Sequence, residues 1–233
     1  MSPMSRSEEL RIELPSGASV SALFDRPAGT RSLLVLAHGA GAGMDHPFLG
    51  ALCVELNSAG IATLRYQFPY MEEGRRRPDL PKVLTATVRA AVEKAKKLAA
   101  DLPLVAGGKS MGGRMTSTAA SEQPLEGVRG LVFFGFPLHP PHRASTKRAE
   151  HLAPVTAPML FLQGTRDELA DLQLLRPVVA GLGTRATLHV VEGADHSFHV
   201  LKSSGTNDAE VLRSLAQSVD AWSRQFLDPS ARQ

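Results

Sequence analysis

Apolar positions follow two different rhythms along this chain, and the rhythms take turns. Residues 32–37 (Ser-Leu-Leu-Val-Leu-Ala) form a continuous apolar run, as a strand buried on both faces requires. Residues 47–59 then carry apolar residues at helical spacing until Gly60 stops them, and 61–66 predict a second strand. Within 80–100, Leu84, Val88, Val92, Ala95 and Leu98 fall on one face of a helix. The alternation continues with a strand over 103–106, a helix over 111–121, and strands over 128–134 and 159–162. A helix over 169–180 and a strand over 188–191 follow. A closing helix places Val211, Leu215, Val219, Trp222 and Phe226 on one stripe. Before all this, Arg11-Ile12-Glu13-Leu14 alternates, Pro15-Ser16-Gly17 turns, and 20–24 resume, which reads as a hairpin. Strand and helix in repeated alternation predict an α/β architecture: a mostly parallel, doubly wound sheet with helices on both faces.

One segment breaks the rhythm. Between 137 and 158 lie Pro137, Pro140, Pro141, Pro154 and Pro158, with His139, His142 and His151 among them. Prolines obstruct ladders and long helices. The segment therefore reads as a loop excursion above the sheet, too short to be a domain. With no repeat and no low-complexity linker, residues 1–233 are expected to form a single domain.

Composition narrows the partners. The 26 Lys and Arg face 23 Asp and Glu, a net charge of +3. The dense basic run is Arg75-Arg76-Arg77, which reads as a solvated loop, so no nucleic-acid partner is expected. The single cysteine, Cys53, lies in an apolar helical stretch and reads as a buried thiol. Residues 1–14 hold no apolar segment of signal-peptide length, and no run reaches the ~18 apolar residues of a membrane span. A cytoplasmic setting without membrane attachment is the expectation. Nothing in the chain speaks to oligomeric state.

The chemistry begins at Gly108-Lys109-Ser110-Met111-Gly112-Gly113, between a predicted strand and a predicted helix. A serine in so sharp a turn needs neighbours without Cβ atoms, which glycines 108 and 112 supply. The motif Gly-x-Ser-x-Gly turns up by chance in roughly one chain in ten of this length. Its placement therefore carries more weight than its spelling. A serine nucleophile needs a base that can take and return a proton near neutrality, and His196 follows the last predicted strand. The base needs an orienting carboxylate, and Asp167 follows the strand 159–162. His199 is the rival base; Asp171 and Asp195 are the rival acids. The glycine-rich 36–43 stretch follows the first buried strand and lacks the Walker lysine and the Rossmann spacing. It is expected to supply one oxyanion donor, the N–H of Ala40 with Gly41 behind it. The other is the N–H of Met111. Phe136 and Leu138, at the start of the proline-rich excursion, are expected to line the substrate pocket. The histidine pairs 139/142 and 196/199 lack a matching cysteine or carboxylate array, so no metal is expected.

These motifs resemble those of the α/β-hydrolase superfamily, and within it the small dienelactone-hydrolase-like proteins. More narrowly, the chain is similar to a predicted-hydrolase group that includes the human testis-expressed and acetyltransferase-regulatory-complex hydrolase-like proteins. The likeness runs from Leu36-Ala37-His38-Gly39 through Arg65-Tyr66-Gln67-Phe68-Pro69-Tyr70 and the Ser110 motif. It continues through Gly135-Phe136-Pro137-Leu138-His139 and Gln163-Gly164-Thr165-Arg166-Asp167 to Asp195-His196-Ser197-Phe198. The resemblance implies the α/β-hydrolase fold with a minimal cap, and Ser110, Asp167 and His196 as nucleophile, acid and base. Dienelactone hydrolases proper carry a cysteine where this chain has Ser110, and the group also contains scaffold relatives without activity. The expected activity is hydrolysis of small carboxylic esters without metal or organic cofactor. Amide hydrolysis by the same triad and a non-catalytic scaffold are the alternatives. With so short a cap, the pocket should be shallow and open, taking short acyl chains and admitting polyester chain ends.

Overall fold

The computed structural model describes residues 7–227; the first six residues, part of the stretch read above for a leader, lie outside them. Strand β1 (Glu8–Glu13) and β2 (Ser19–Asp25) form the expected hairpin. The alternating series follows: β3 (Ser32–Ala37), α1 (Pro47–Ser58), β4 (Ile61–Tyr66), α2 (Pro69–Glu72), α3 (Pro81–Leu98), β5 (Leu104–Lys109), α4 (Met111–Glu122) and β6 (Val128–Phe134). It ends with β7 (Met159–Gly164), α5 (Leu172–Gly181), β8 (Ala186–Val191) and α6 (Asp208–Leu227). One eight-stranded sheet has the order β1-β2-β4-β3-β5-β6-β7-β8. β1 and β2 join antiparallel, β2 meets β4 antiparallel, and every later pairing is parallel.

The two-residue period of each strand divides the core. Leu33, Val35, Ala106, Phe133 and Phe161 face α3, α4 and α5. Their neighbours Leu34, Leu36, Val105, Phe134 and Leu162 face α1 and α6. The fully buried runs of β3 and β7 follow from this two-sided cover. Cys53 lies on the buried face of α1, and burial pushes its thiol up to about 11. Among the described residues no helix is long and apolar enough to cross a membrane.

Three details differ from the sequence reading. β5 runs on through Gly107 and Gly108, because only glycine fits: a Cβ at 107 would lie 2.0 Å from the carbonyl oxygen of Val132. α5 begins at Leu172 rather than 169, because Asp167 accepts the Leu169 N–H and Asp171 caps the helix through the Gln173 N–H. The excursion 137–158, expected as a loop, carries a 3₁₀ turn at Lys147–Leu152. It runs beside α4, docked by that turn, which buries Ala149 and Leu152 in the α3–α4–α5 side of the core.

Candidate active site

The parallel strands end together at one edge, and the short connections there bring the candidate residues into contact. β5 leads into Ser110, whose φ of 51° is a conformation that residues with a Cβ rarely adopt. The turn is held by a Ser110 N–H bond of 3.1 Å to the carbonyl of Phe134. A Cβ on Gly108 would lie 2.5 Å from the Ala37 carbonyl oxygen, and one on Gly112 would lie 2.5 Å from that of His38. Both glycines are thus required by the packing of the elbow against β3.

His196 reaches Ser110 from the β8–α6 connection, its Nε2 2.9 Å from Oγ. Its Nδ1 lies 2.7 Å from Oδ2 of Asp167. A carboxylate only accepts, so Nδ1–H donates to Asp167 and leaves Nε2 free to accept from the serine hydroxyl. Asp167 is buried; Gln163 Nε2 donates to its Oδ2 at 2.5 Å and the Leu169 N–H to its Oδ1 at 2.8 Å. Three donors on this buried carboxylate fix its orientation toward the imidazole. The rivals are engaged elsewhere. Asp195 accepts the N–H groups of Ser197 and His199, closing its own loop. His199 pairs with Asp208 at 2.8 Å on the exposed side, and Asp171 caps α5.

The glycine-rich loop after β3 lies across the elbow. The Gly41 N–H donates to the hydroxyl of Tyr70 at 3.1 Å. No acceptor is found for the N–H of Ala40 or Met111 among the described residues. The structure thus separates Ala40 from Gly41, two neighbours that the sequence alone left together. Tyr70 is held in turn: its N–H donates to Asp79, which pairs with Arg75 at 2.6 Å. The first arginine of the basic run is therefore a buttress of this loop. His38 ties the loop from below, accepting the Phe68 N–H at Nε2 and donating to the Gly39 carbonyl from Nδ1. Burial holds its imidazole down at about 4, so it is neutral near pH 7. Gln163, Tyr70 and His38 escaped the sequence reading, because each acts through a partner distant in the chain.

A pocket of about 300 Å³ opens at Ser110 and His196, walled by Ala40, Ala42, Phe48, Leu49, Lys109 and Leu169. Phe136 and Leu138 are not among its walls, which corrects the expectation. Both are fully buried; Phe136 packs edge-on against Phe133 and Phe161 on the α3–α4–α5 side. The reason lies in Gly135, whose φ of 68° turns the chain down into the core instead of up toward the mouth. A larger cleft of about 460 Å³, beside Arg31 and Asp220 at the other end of the strands, contains no nucleophile–base pair.

Residues 30–224 match the protein family described as alpha/beta hydrolase domain. Solved structures share the fold at low identity. A dienelactone hydrolase from Anabaena variabilis superposes with a TM-score of 0.74 at 22% identity, covering 95% of this chain and 98% of that one. A Xanthomonas campestris protein, described as an α/β serine hydrolase without lid, gives 0.72 at 19%, covering 94% and 95%. Est1E from Butyrivibrio proteoclasticus, with ferulic acid bound, gives 0.72 at 17%, covering 94% and 99%. With its eight-stranded, mostly parallel sheet and a family match over most of its length, the chain belongs to the alpha/beta hydrolase family.

Proposed function

We propose that this hydrolase cleaves carboxylic esters through a Ser110–His196–Asp167 triad. The observation that carries the reading is the hydrogen-bonded chain from Ser110 Oγ through His196 to a buried Asp167, opening on a pocket. Ser110 Oγ bonds to the ester carbonyl carbon as its proton passes to His196 Nε2. The oxyanion rests on the N–H groups of Ala40 and Met111. The intermediate collapses, the C–O bond breaks, and His196 returns the proton to the departing alcohol. Water, deprotonated by His196, then releases the acyl group from Ser110. None of these steps calls on a metal or organic cofactor.

The pocket sits at the small end of the range for ligand sites, which favours short acyl groups. Its walls come from the 39–49 loop and from residues beside the triad, without cover from 137–158, which favours an open cleft tolerant of bulky alcohols. Two structural neighbours are described as lacking a lid and as holding ferulic acid, in keeping with a small-ester site. Soluble or emulsified polyester chain ends fall within the same reading. We place the whole chain in one domain, acting in the cytoplasm on small molecules, and nearest in kind to the predicted-hydrolase group named above.

The test is a panel of nitrophenyl esters from C2 to C16 acyl length, run beside Ser110→Ala and a fluorophosphonate probe. Wild type should label and should prefer the short end by about tenfold, the discrimination that one or two pocket contacts supply. Ser110→Ala should stay folded and do neither. Labelling that survives in Ser110→Ala sinks the nucleophile assignment, and a rate maximum at C12 or longer sinks the shallow pocket.

A further inference from the structure

Lys109, the residue before Ser110, carries a buried amine that the reaction scheme leaves unused. Its aliphatic stem lines the pocket, while its Nζ is shut from solvent and makes no hydrogen bond among the described residues. A buried ammonium without an acceptor is costly, so its retention calls for a reason. The Nζ faces two rings, 6.0 Å from the centre of Phe48 and 5.7 Å from that of Phe198. The rings stack on each other at 5.8 Å and 14°. Electrostatic attraction of a cation to ring faces at this range substitutes in part for the missing hydrogen bonds.

Phe198 belongs to the loop that carries the base. That loop closes on itself: the Asp195 N–H bonds to the His199 carbonyl, and the Phe198 N–H to the Asp195 carbonyl. Phe198 is buried with a φ of 62°, a strained setting for a bulky side chain. The strain aims its ring at Lys109 and Phe48. On the other side, three groups converge on Gly135. The point where a Cβ of residue 135 would sit is 3.1 Å from Lys109 Nζ, 3.4 Å from Asp167 Oδ2 and 3.4 Å from His196 Cε1. The amine thus sits beside the acid–base pair, in space kept clear by a glycine.

We propose that Lys109 is a positioning residue for the hydrolysis. Its buried ammonium, seated on Phe48 and Phe198 and facing the Asp167–His196 pair across Gly135, ties the base-bearing loop to the serine elbow. It also holds His196 in the unprotonated form that accepts the serine proton. The inference rests on the reading of His196 as the base. A positive charge this near opposes formation of an imidazolium and favours the Asp167 carboxylate. The charged groups that act on Nζ are Asp167 and Asp195, with His196 beside it at Gly135 and His46 among the pocket walls. Desolvation brings the Lys109 amine down to about 8, against the pull of Asp167 and then Asp195. It therefore still carries its charge near pH 7.

The experiment compares wild type with Lys109→Met, which keeps the stem and removes the charge. NMR of the His196 imidazole should show its titration moving upward by about one pH unit in the variant, as expected for loss of a neighbouring cation. The acid limb of kcat/KM should move up with it. The kcat should fall about tenfold, with KM for a short ester changed less than threefold. A His196 titration that stays in place overturns the inference, even if kcat falls, because packing alone would then explain the loss. If wild type neither cleaves esters nor takes the fluorophosphonate, the ester-hydrolase reading falls, while the NMR titration still decides the role of Lys109. Lys109→Cys guards against a misfolded Met variant. Its thiolate displaces bromide from 2-bromoethylamine and forms a C–S bond that restores a primary amine at lysine length. The one native thiol, Cys53, is buried. Recovery of the acid limb on alkylation supports the role; alkylated protein with an unrestored limb overturns it.

Discussion

The connection from β6 to β7 and the connection from β8 to α6 flank Asp167, and they make opposite use of their length. The first holds five prolines and three histidines, yet it runs beside α4, and none of its residues walls the pocket at Ser110. His139 and His151 are spent on structure: His139 Nε2 accepts the Asp171 N–H, and His151 Nε2 meets Ser117 Oγ. The second, residues 192–207, is shorter and carries His196, the proposed base. It is held by its own hydrogen bonds and by a strained Phe198 plugged against α1. A conspicuous composition marks a segment that must pack without a ladder. Precision at a site comes from a short turn braced on every side.

The largest effect is expected at the proposed acid. Asp167→Asn should cut kcat about 10⁴-fold with little change in stability, because an amide donor favours the wrong imidazole tautomer. Asp171→Asn, four residues on, should keep near-normal kcat, since asparagine caps a helix as well as aspartate does. Ester turnover by the two purified variants decides it; a damaging Asp171→Asn with an active Asp167→Asn would reverse the assignment.

Phe136→Ala carries the comparison to the head of the long connection. Its ring is fully buried against Phe133, Phe161 and His151. Truncation should destabilise the fold by about 3–5 kcal/mol, or about 10 °C in Tm for a chain of this size. KM for short esters should hold within about twofold. Thermal melts and kinetics on one preparation separate the roles: a raised KM at unchanged Tm would return Phe136 to the pocket wall.

Much of this was legible along the chain, and the exceptions share a cause. The buried runs of β3 and β7 announce themselves, and Ser110, Asp167 and His196 each fall just past a strand, where the parallel topology brings ends together. The roles of Lys109, Tyr70 and Gln163 depend on partners across the sheet edge, which no local period encodes. Phe136 was misread because an apolar residue after a strand and before prolines suits a pocket wall and a core equally. The φ of Gly135 decides between them, and any glycine permits both.

The smallest effect divides the two regions by pH. His38 belongs to the loop proposed to hold the oxyanion and His151 to the long connection, and desolvation holds each near 4, with Arg114 adding to the effect at His151. An unfolded histidine titrates near 6.5. Between those values the unfolded chain binds more protons, so the stability from both is complete above about pH 6.5 and is lost progressively as pH falls toward 4. His38 accounts for up to roughly 3 kcal/mol of this, since a proton on Nε2 would also break its bond from Phe68. His199 has the opposite sign, raised by Asp208, but the pair is exposed and contributes little. Carboxylates held low, such as Glu72, which against the cost of burial accepts the Ser21 N–H and then pairs with Arg11, enter only below about pH 4.5. Urea titrations at pH 7.5, 6.0 and 5.0 therefore isolate the histidines. His151→Phe should flatten part of the slope and leave kcat intact. His38→Gln should flatten more of it and lower kcat, because the same imidazole braces the loop that carries Ala40. Equal effects of the two variants on kcat would mean that the long connection reaches the chemistry after all.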